Sequence, residues 1–207
     1  MSATLQKPPR QRKQGYDPDF RFTVEQYQRM VLEGIISADA RIELLDGKVV
    51  NKMARNPLHD TSLSLTHHSL QYILSPEWYI RAQMAIVLGI RNQPEPDIAV
   101  VLAPISRYLK QHPAAKEIGM LVEVADSSLL QDRRDKAEIY ASARIPWYWI
   151  VNASEKIVEV YSDPKGGASP AYRNREDYVV GKKVPVILAG KTVGFLEVGK
   201  LFPANEA

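Results

Sequence analysis

The sequence predicts an α/β (α+β) fold in which helices flank a mixed central sheet, with a β-hairpin in front of the sheet and antiparallel strands behind it. Three observations lead to this prediction. The central segments follow the order helix, strand, strand, strand, helix, strand. Asp46-Gly47 stands between two runs of strand-forming residues, which is a strong hairpin signal. Two alternating runs after residue 155 indicate further antiparallel strands.

The first helix has the clearest local signals. In FTVEQYQRMVLEG (22–34), Thr23 is a candidate N-cap and Gln26 occupies the capping-box position. Gly34 is placed to end the helix, because glycine readily adopts the left-handed conformation found there. The next segment, ARIELLDGKVVNKM, supplies the hairpin.

The later elements follow from apolar periodicity and from prolines at their ends. The Ile145-Pro146 step ends the last predicted helix, since the residue before a proline is disfavoured in the helical region. The predicted order is a helix at 58–74, strands at 78–88, 94–102 and 119–125, a helix at 131–144, a strand at 146–152, two edge strands at 156–162 and 171–180, and a final strand, turn and short helical piece at 183–202.

The composition is that of an ordinary globular protein, with 45% hydrophobic and 25% charged residues. The chain has no cysteine, which excludes disulfides, thiolate metal sites and a cysteine nucleophile. The N-terminus lacks a long apolar run, so we expect neither a signal peptide nor a membrane-spanning helix. These features together predict a cytoplasmic protein.

The positive charge is concentrated at the N-terminus. We predict a disordered basic arm at residues 1–18 and one domain at 19–203. Subtracting the four basic charges of residues 1–15 from the net charge of +3 leaves −1 for the rest of the chain. The arm is either a solvated tail or an aid to binding a phosphate backbone. The four basic residues are Lys7, Arg10, Arg12 and Lys13.

Two acidic residues stand in apolar strands. Asp97 begins the strand of PEPDIAVV, and Glu123 interrupts the strand of LVEVA. Neighbouring strands would bring these carboxylates close together, where they repel unless a cation lies between them. A hard divalent ion is one resolution. The other is structural, with Asp97 capping a turn after Pro96 and Glu123 paired with an arginine.

The following helix offers a cation. Asp132, Lys136 and Tyr140 are spaced four residues apart and share one helical face. Lys136 is therefore placed either to reach the carboxylate pair or to form a surface ion pair with Asp132. The histidines do not predict zinc, because His67 and His68 are adjacent and His59 lies eight residues before His67.

Four segments together resemble a known family: RIELLDGKVV, PEPDIAVV, LVEVADSS and DRRDKAEIYASARIPWYWIVN. They resemble the Uma-type family of putative restriction endonucleases, which belongs to the PD-(D/E)XK nuclease superfamily. The likeness covers residues from about 20 to 202 and depends on four motifs in order. It implies a restriction-endonuclease-like core of helix, three strands, helix and strand, in agreement with the predicted order.

The resemblance also implies roles for individual residues. Asp97 and Glu123 would be catalytic metal ligands, together with the backbone carbonyl of Val124, and the ion would be Mg²⁺ or Mn²⁺. Ala125 stands where the superfamily pattern has a lysine. In the Uma-type family that lysine is found in the following helix, and Lys136 matches its place.

Further residues are expected to support this site. Glu43 resembles an additional acidic ligand, although a glutamate beside a turn is an alternative explanation. Gln83 matches a glutamine of the first core strand that faces the site, or else lies on a solvated strand face. His59 is expected near the substrate, and Asp132 and Tyr140 accompany Lys136.

The function expected from the resemblance is metal-dependent hydrolysis of phosphodiester bonds, with nucleic acid, most simply DNA, as the partner. We expect a homodimer with two-fold symmetry, because one small domain carries a single catalytic set. The alternative is a degenerate nuclease fold that binds nucleic acid or protein without cutting, since Ala125 replaces the usual lysine.

Overall fold

The computed structural model describes residues 20–37 and 39–204. The predicted basic arm at 1–18 lies outside the described residues. The α-helices are α1 (Val24–Leu32), α2 (Pro57–Gln71), α3 (Leu129–Gln131) and α4 (Ala137–Ser142), and a π-helical segment, Asp132–Lys136, joins α3 to α4. Short 3₁₀ turns lie at Ile105–Tyr108, Ala115–Glu117 and Val198–Leu201. In the described part of the chain, every helix is too short or too polar to span a lipid bilayer.

Six strands form the central sheet, in the order β3-β4-β5-β6-β7-β8, and two hairpins, β1-β2 and β9-β10, lie outside it. Only β5 and β6 pair in parallel, so the sheet is mixed as predicted. The strands are β1 (Ile42–Leu45), β2 (Lys48–Asn51), β3 (Trp78–Ala82), β4 (Ile98–Leu102), β5 (Ile118–Ala125), β6 (Trp147–Asn152), β7 (Ile157–Lys165), β8 (Ala171–Val179), β9 (Lys183–Leu188) and β10 (Lys191–Glu197).

The local signals at the start of the chain are confirmed. The Thr23 side chain accepts a hydrogen bond from the Gln26 N–H at 3.2 Å, and the Gln26 side chain accepts one from the Thr23 N–H at 2.9 Å. Asp46 and Gly47 both adopt positive φ, 47° and 70°, as a two-residue hairpin turn requires. These elements form where local hydrogen bonding and turn geometry dictate them.

Each face of the central sheet is buried. Helix α2 and the β9-β10 hairpin cover one face, where Leu70 and Trp149 belong to the larger apolar cluster. Helix α4 covers the other face, where Tyr140 packs on Tyr148 and Leu121. Strand β5 is buried at all eight positions, which explains its nearly unbroken apolar sequence.

Three details differ from the sequence prediction. Strand β7 was expected at an edge but lies inside the sheet between β6 and β8. Strand β3 ends at Ala82, so Gln83 is not on the first core strand; it follows the strand at a φ of 52°. The chain end forms a second strand, β10, and only then a short helical turn. In each case strand pairing, which depends on distant residues, decided the outcome.

Candidate active site

A polar cleft opens at the end of the sheet where β4 begins and β5 ends. Its volume is about 290 Å³. The hairpin β1-β2, the first turn of α2 and the π-helical segment surround it. Its lining includes every side chain expected at the site except Tyr140, namely Glu43, His59, Gln83, Asp97, Glu123, Asp132 and Lys136.

Asp97 and Glu123 lie on neighbouring chain segments at the floor of the cleft. Strands β4 and β5 pair in antiparallel register with Ile98 opposite Val122, so Asp97 stands opposite Glu123. The Asp97 N–H lies 3.4 Å from Glu123 Oε2, and the Val124 N–H donates to Asp97 Oδ2 at 2.9 Å. The two carboxylates therefore face the same cleft.

Asp97 is held in its ionised form. Gln83 Nε2 donates to its Oδ1 at 3.2 Å, and His59 Nε2 lies 3.1 Å from its Oδ2. Burial alone would raise the Asp97 pKa, but the His59 contact and the Val124 N–H outweigh it and lower the pKa below its usual value. The same contact raises the pKa of His59 against the opposing effect of burial. His59 thus contacts Asp97 from the first turn of α2 and lines the cleft.

The surroundings of Glu123 have the opposite effect on its pKa, which they raise. Only 3% of the residue is exposed. Lys136 Nζ lies 3.0 Å from Glu123 Oε1, and the Tyr140 hydroxyl donates to the same oxygen at 2.6 Å. Burial raises the pKa of Glu123 to about 8, and the neighbouring acids add to the effect of burial while Lys136 opposes it. Glu123 therefore keeps a proton to a higher pH than an ordinary glutamate does, and so does Asp132, whose pKa burial also raises.

Lys136 stands at the centre of the acidic cluster. Its Nζ lies 3.7 Å from Asp132 and 3.8 Å from Glu43, in addition to its contact with Glu123. Burial would lower its pKa, but the carboxylates outweigh burial and raise it, so Lys136 is an ammonium ion. The surrounding acids thus keep Lys136 charged, and the excess negative charge of the cluster raises the pKa of both Glu123 and Asp132.

The surface ion pair considered for Lys136 is ruled out, because only 7% of the residue is exposed. Glu43 is a buried residue of strand β1, and Glu123 pairs with a lysine in place of an arginine. The π-helical turn contributes to this geometry. It widens the helix where Asp132 and Lys136 face the sheet, and such turns are frequent at functional sites.

The charge of the cluster does not balance. Four carboxylates (Glu43, Asp97, Glu123 and Asp132) face one ammonium and one imidazole, and each of the four is buried. Excess buried negative charge costs free energy unless protons or cations neutralise it. The donor set is hard oxygen, which suits Mg²⁺ or Mn²⁺.

No three His, Cys, Asp or Glu side chains among residues 20–37 and 39–204 converge as a ready-made metal centre. Two of the carboxylate oxygens already have cationic or imidazole partners, since His59 contacts Asp97 Oδ2 and Lys136 contacts Glu123 Oε1. Asp97, Glu123 and the Val124 carbonyl still fit a magnesium-type site, because Mg²⁺ usually takes one or two carboxylates and several waters. In extended backbone the N–H and C=O of one residue point to the same side, so the Val124 carbonyl faces Asp97 as its N–H does.

Some residues of the cleft were not anticipated. Lys52 Nζ contacts Glu95 Oε2 at 3.0 Å, and Arg55 donates to the Gln83 side-chain oxygen. Asn56 caps α2 and also donates to Asp126 at 2.5 Å. Asn56 before Pro57 is a readable N-cap signal. The contacts of Lys52 and Arg55 join segments far apart in the chain and leave no local signal.

Comparisons with known proteins agree with this fold. The family model described as "Uma2: Putative restriction endonuclease" matches residues 24–186. A solved structure, a "putative nuclease belonging to DUF820" from Anabaena variabilis, is similar to this chain with a TM-score of 0.61 and 15% sequence identity. The similarity covers 87% of this chain and 97% of that one. No curated protein matches the sequence.

Proposed function

The chain belongs to the Uma2 family of putative restriction endonucleases, and from this premise we propose that it is a divalent-metal-dependent endonuclease that hydrolyses phosphodiester bonds in DNA. One observation carries the proposal: two buried carboxylates at the ends of paired strands share a cleft with a buried ammonium group, and the cleft has an excess of negative charge. A phosphodiester is itself an anion and needs cations to approach such a cleft.

Asp97, Glu123 and the Val124 carbonyl would hold Mg²⁺ or Mn²⁺, with Glu43 as a further oxygen donor nearby. A bound ion supplies Lewis-acid chemistry, polarising a phosphoryl oxygen and acidifying water. Glu123 must release its proton when it becomes a ligand. Asp97 needs no such change, because His59 and Val124 already hold it ionised.

Lys136 is the catalytic residue of the helix. Since the surrounding acids keep it an ammonium ion, its role is to orient the attacking water by hydrogen bonding and to neutralise charge that develops on the phosphate. A deprotonating role does not suit it. If Glu123 held such an ion, the Lys136 ammonium would keep its contacts with Asp132 and Glu43 and would remain at the edge of the cleft, within reach of a substrate.

The test is plasmid nicking with and without Mg²⁺ or Mn²⁺. We expect metal-dependent cleavage, and we expect Lys136→Ala to lower its rate by about 10²- to 10⁴-fold while metal binding, measured by calorimetry, survives. Lys200→Ala is the matched control, because Lys200 is 71% exposed and lies outside the cleft. Unchanged cleavage by Lys136→Ala would remove Lys136 from the mechanism.

A second candidate is a degenerate nuclease fold that binds nucleic acid or protein without cutting. Ala125 at the usual lysine position favours it. Such a module would show no metal-dependent nicking even at high enzyme concentration. The homodimer and the cytoplasmic location are still predictions, and light scattering at micromolar concentration tests the first of them.

A further inference from the structure

A second buried cation, Arg81, lies on β3 and has no acidic partner among residues 20–37 and 39–204. Only 8% of Arg81 is exposed. Its guanidinium makes one long hydrogen bond, from Nη2 to the Ala85 carbonyl at 3.5 Å, and stands 5.5 Å from the centre of the Tyr108 ring. Within the described part of the chain, its Nε–H is buried without a hydrogen-bond partner.

A guanidinium in this environment is unusual, because a buried charge is normally paired. The other buried cation, Lys136, lies among carboxylates. By contrast, burial lowers the pKa of Arg81, and the groups that oppose this effect are the Tyr108 and Tyr79 hydroxyls, not carboxylates. Arg81 therefore has unused donors aimed into the protein.

The Arg81 side chain borders a cavity. Arg81 lines a space of about 290 Å³ together with His112 and Ser37, and this space also contacts Ala40, Gln83 and Glu95, three residues that line the catalytic cleft. The cavity is large enough for a phosphate group and several waters, given about 30 Å³ for each water. The one carboxylate on its wall, Glu95, is already held by Lys52 at 3.0 Å.

We propose that Arg81 and His112 form a phosphate-binding subsite that holds a backbone phosphate of the nucleic acid next to the one being cleaved. The position supports this source of phosphate, because Arg81 and Gln83 are two residues apart and the cavity adjoins the cleft. A guanidinium with free N–H donors binds phosphate oxygens well. The inference rests on the proposed function for the identity of the ligand, but not for the binding of phosphate itself.

His112 provides a readout that does not require cleavage. Burial and the nearby Arg81 lower its pKa, and Glu95 opposes them. Arg81 from β3 and Glu95 from the segment before β4 are the charged groups acting on its ring. A phosphate bound between Arg81 and His112 would favour the imidazolium and therefore raise the His112 pKa.

The experiment is a pH titration of the His112 ring by NMR in the presence of Mg²⁺, with the signal assigned from the His112→Gln spectrum and with an oligonucleotide whose backbone linkages resist hydrolysis. Inorganic phosphate is added in one arm and a short DNA oligonucleotide in the other. Both should raise the His112 pKa. No shift in either arm overturns the proposal. A shift with inorganic phosphate alone overturns the assignment to the nucleic acid backbone.

Variants add a second test. Arg81→Met should weaken oligonucleotide binding about tenfold or more and reduce the slope of log affinity against log salt by about one. Arg107→Gln is the matched control, since Arg107 is paired with Glu117 in the neighbouring loop, and it should leave both quantities unchanged. An unchanged salt slope in folded Arg81→Met would make Arg81 a structural residue. If that variant does not fold, the titration of His112 in the unmodified protein still tests the phosphate-binding proposal.

Failure of this inference is distinct from failure of the proposed function. A protein that nicks plasmids but shows no phosphate-dependent shift at His112 is a nuclease without this subsite. A protein that shows the shift with oligonucleotide but never cuts is a nucleic-acid-binding module with the subsite intact.

Discussion

Glu123 and Glu159 lie in the same row of the sheet, one on each side of Ile150. The parallel pairing of β5 with β6 places Glu123 beside Ile150, and the antiparallel pairing of β6 with β7 places Glu159 on its other side. The two glutamates are therefore about 10 Å apart, two strand spacings, on one face of the sheet. The π-helical segment crosses above both and supplies Arg133 to one and Lys136 to the other.

The charges around the two glutamates differ. Glu159 is 0% exposed, and both of its oxygens accept from Arg133 Nε at 3.1 Å. Arg175 lies 3.4 Å from Glu159, and the Tyr161 hydroxyl donates to it at 2.8 Å. One carboxylate thus faces two guanidinium groups. In the Glu123 cluster, by contrast, four carboxylates including Glu123 share one ammonium and one imidazole.

This difference in charge balance distinguishes a structural ion pair, at Glu159, from a candidate active site, at Glu123. In the Glu159 cluster, two guanidinium groups already neutralise the one carboxylate, so a metal ion would not stabilise it further. The Glu123 cluster has excess negative charge, so it must either keep a proton or bind a cation. Its protonation therefore changes when a metal ion or a substrate binds. The following predictions test the comparison, beginning with the largest effect.

The largest effect concerns cleavage. Asp97→Asn removes a carboxylate that is already ionised, so we expect the nicking rate to fall about a thousandfold, or about 4 kcal/mol in the activation barrier. Calorimetry should show weaker metal binding in the same variant. Glu159→Gln should cut plasmid at the normal rate per folded molecule. Equal loss of activity in both variants would show that the two clusters do not differ in function.

The second effect concerns stability. Glu159→Ala leaves Arg133 and Arg175 facing each other with no carboxylate between them, and we expect a loss of about 3 kcal/mol in the free energy of unfolding. Glu123→Gln should cost much less without metal, because Glu123 already carries a proton there. Urea denaturation in EDTA measures both. The comparison fails if Glu123→Gln proves the more damaging change.

The third effect is a dependence of stability on pH. Burial raises the pKa of Glu123 from its ordinary value of 4.5 to about 8 in the folded protein. Between these pH values the unfolded chain has lost the proton and the folded chain keeps it. The contribution of Glu123 is thus complete below about pH 4.5 and is lost as pH rises toward 8, with a slope of at most about 1.4 kcal/mol per pH unit.

Denaturation curves collected across this pH range in EDTA should show that slope in the unmodified protein, and Glu123→Gln should reduce it. Saturating Mg²⁺ should reduce it as well, because a bound cation favours the ionised carboxylate. Asp132, whose pKa burial also raises, contributes in the same direction and remains in both proteins. Identical slopes with and without Glu123 would contradict its protonated state.

The smallest effect concerns Tyr140. Its buried hydroxyl donates to Glu123 Oε1 at 2.6 Å, and Tyr140→Phe removes only that hydrogen bond. We expect a loss of about 1 kcal/mol in stability. Tyr161→Phe is the matched change at Glu159, where two guanidinium groups remain to satisfy the carboxylate. Thermal melts should therefore show the smaller loss in Tyr161→Phe.

Several parts of the fold could be read from short stretches of sequence. The capping box at Thr23, the hairpin at Asp46-Gly47 and the buried strand around Glu123 all depend on neighbours within a few residues. Their physical causes are hydrogen bonds, turn geometry and apolar runs that are complete within each segment. The acidic candidates Asp97 and Glu123 were visible for the same reason, since a charge in an apolar strand stands out locally.

The role of each buried glutamate was not visible in this way. Glu123 in LVEVA and Glu159 in IVEVY have almost the same sequence context, so the same local signal stands at a candidate active site and at a structural ion pair. Long-range packing separates them: β8 and the π-helical turn bring two guanidinium groups to Glu159, while Glu43, Asp97 and Asp132 gather around Glu123. The sequence by itself determined that both glutamates interrupt apolar strands. The tertiary structure alone decided that both are buried and which one has enough cations, because electrostatic balance depends on groups that are distant in the chain and close in space.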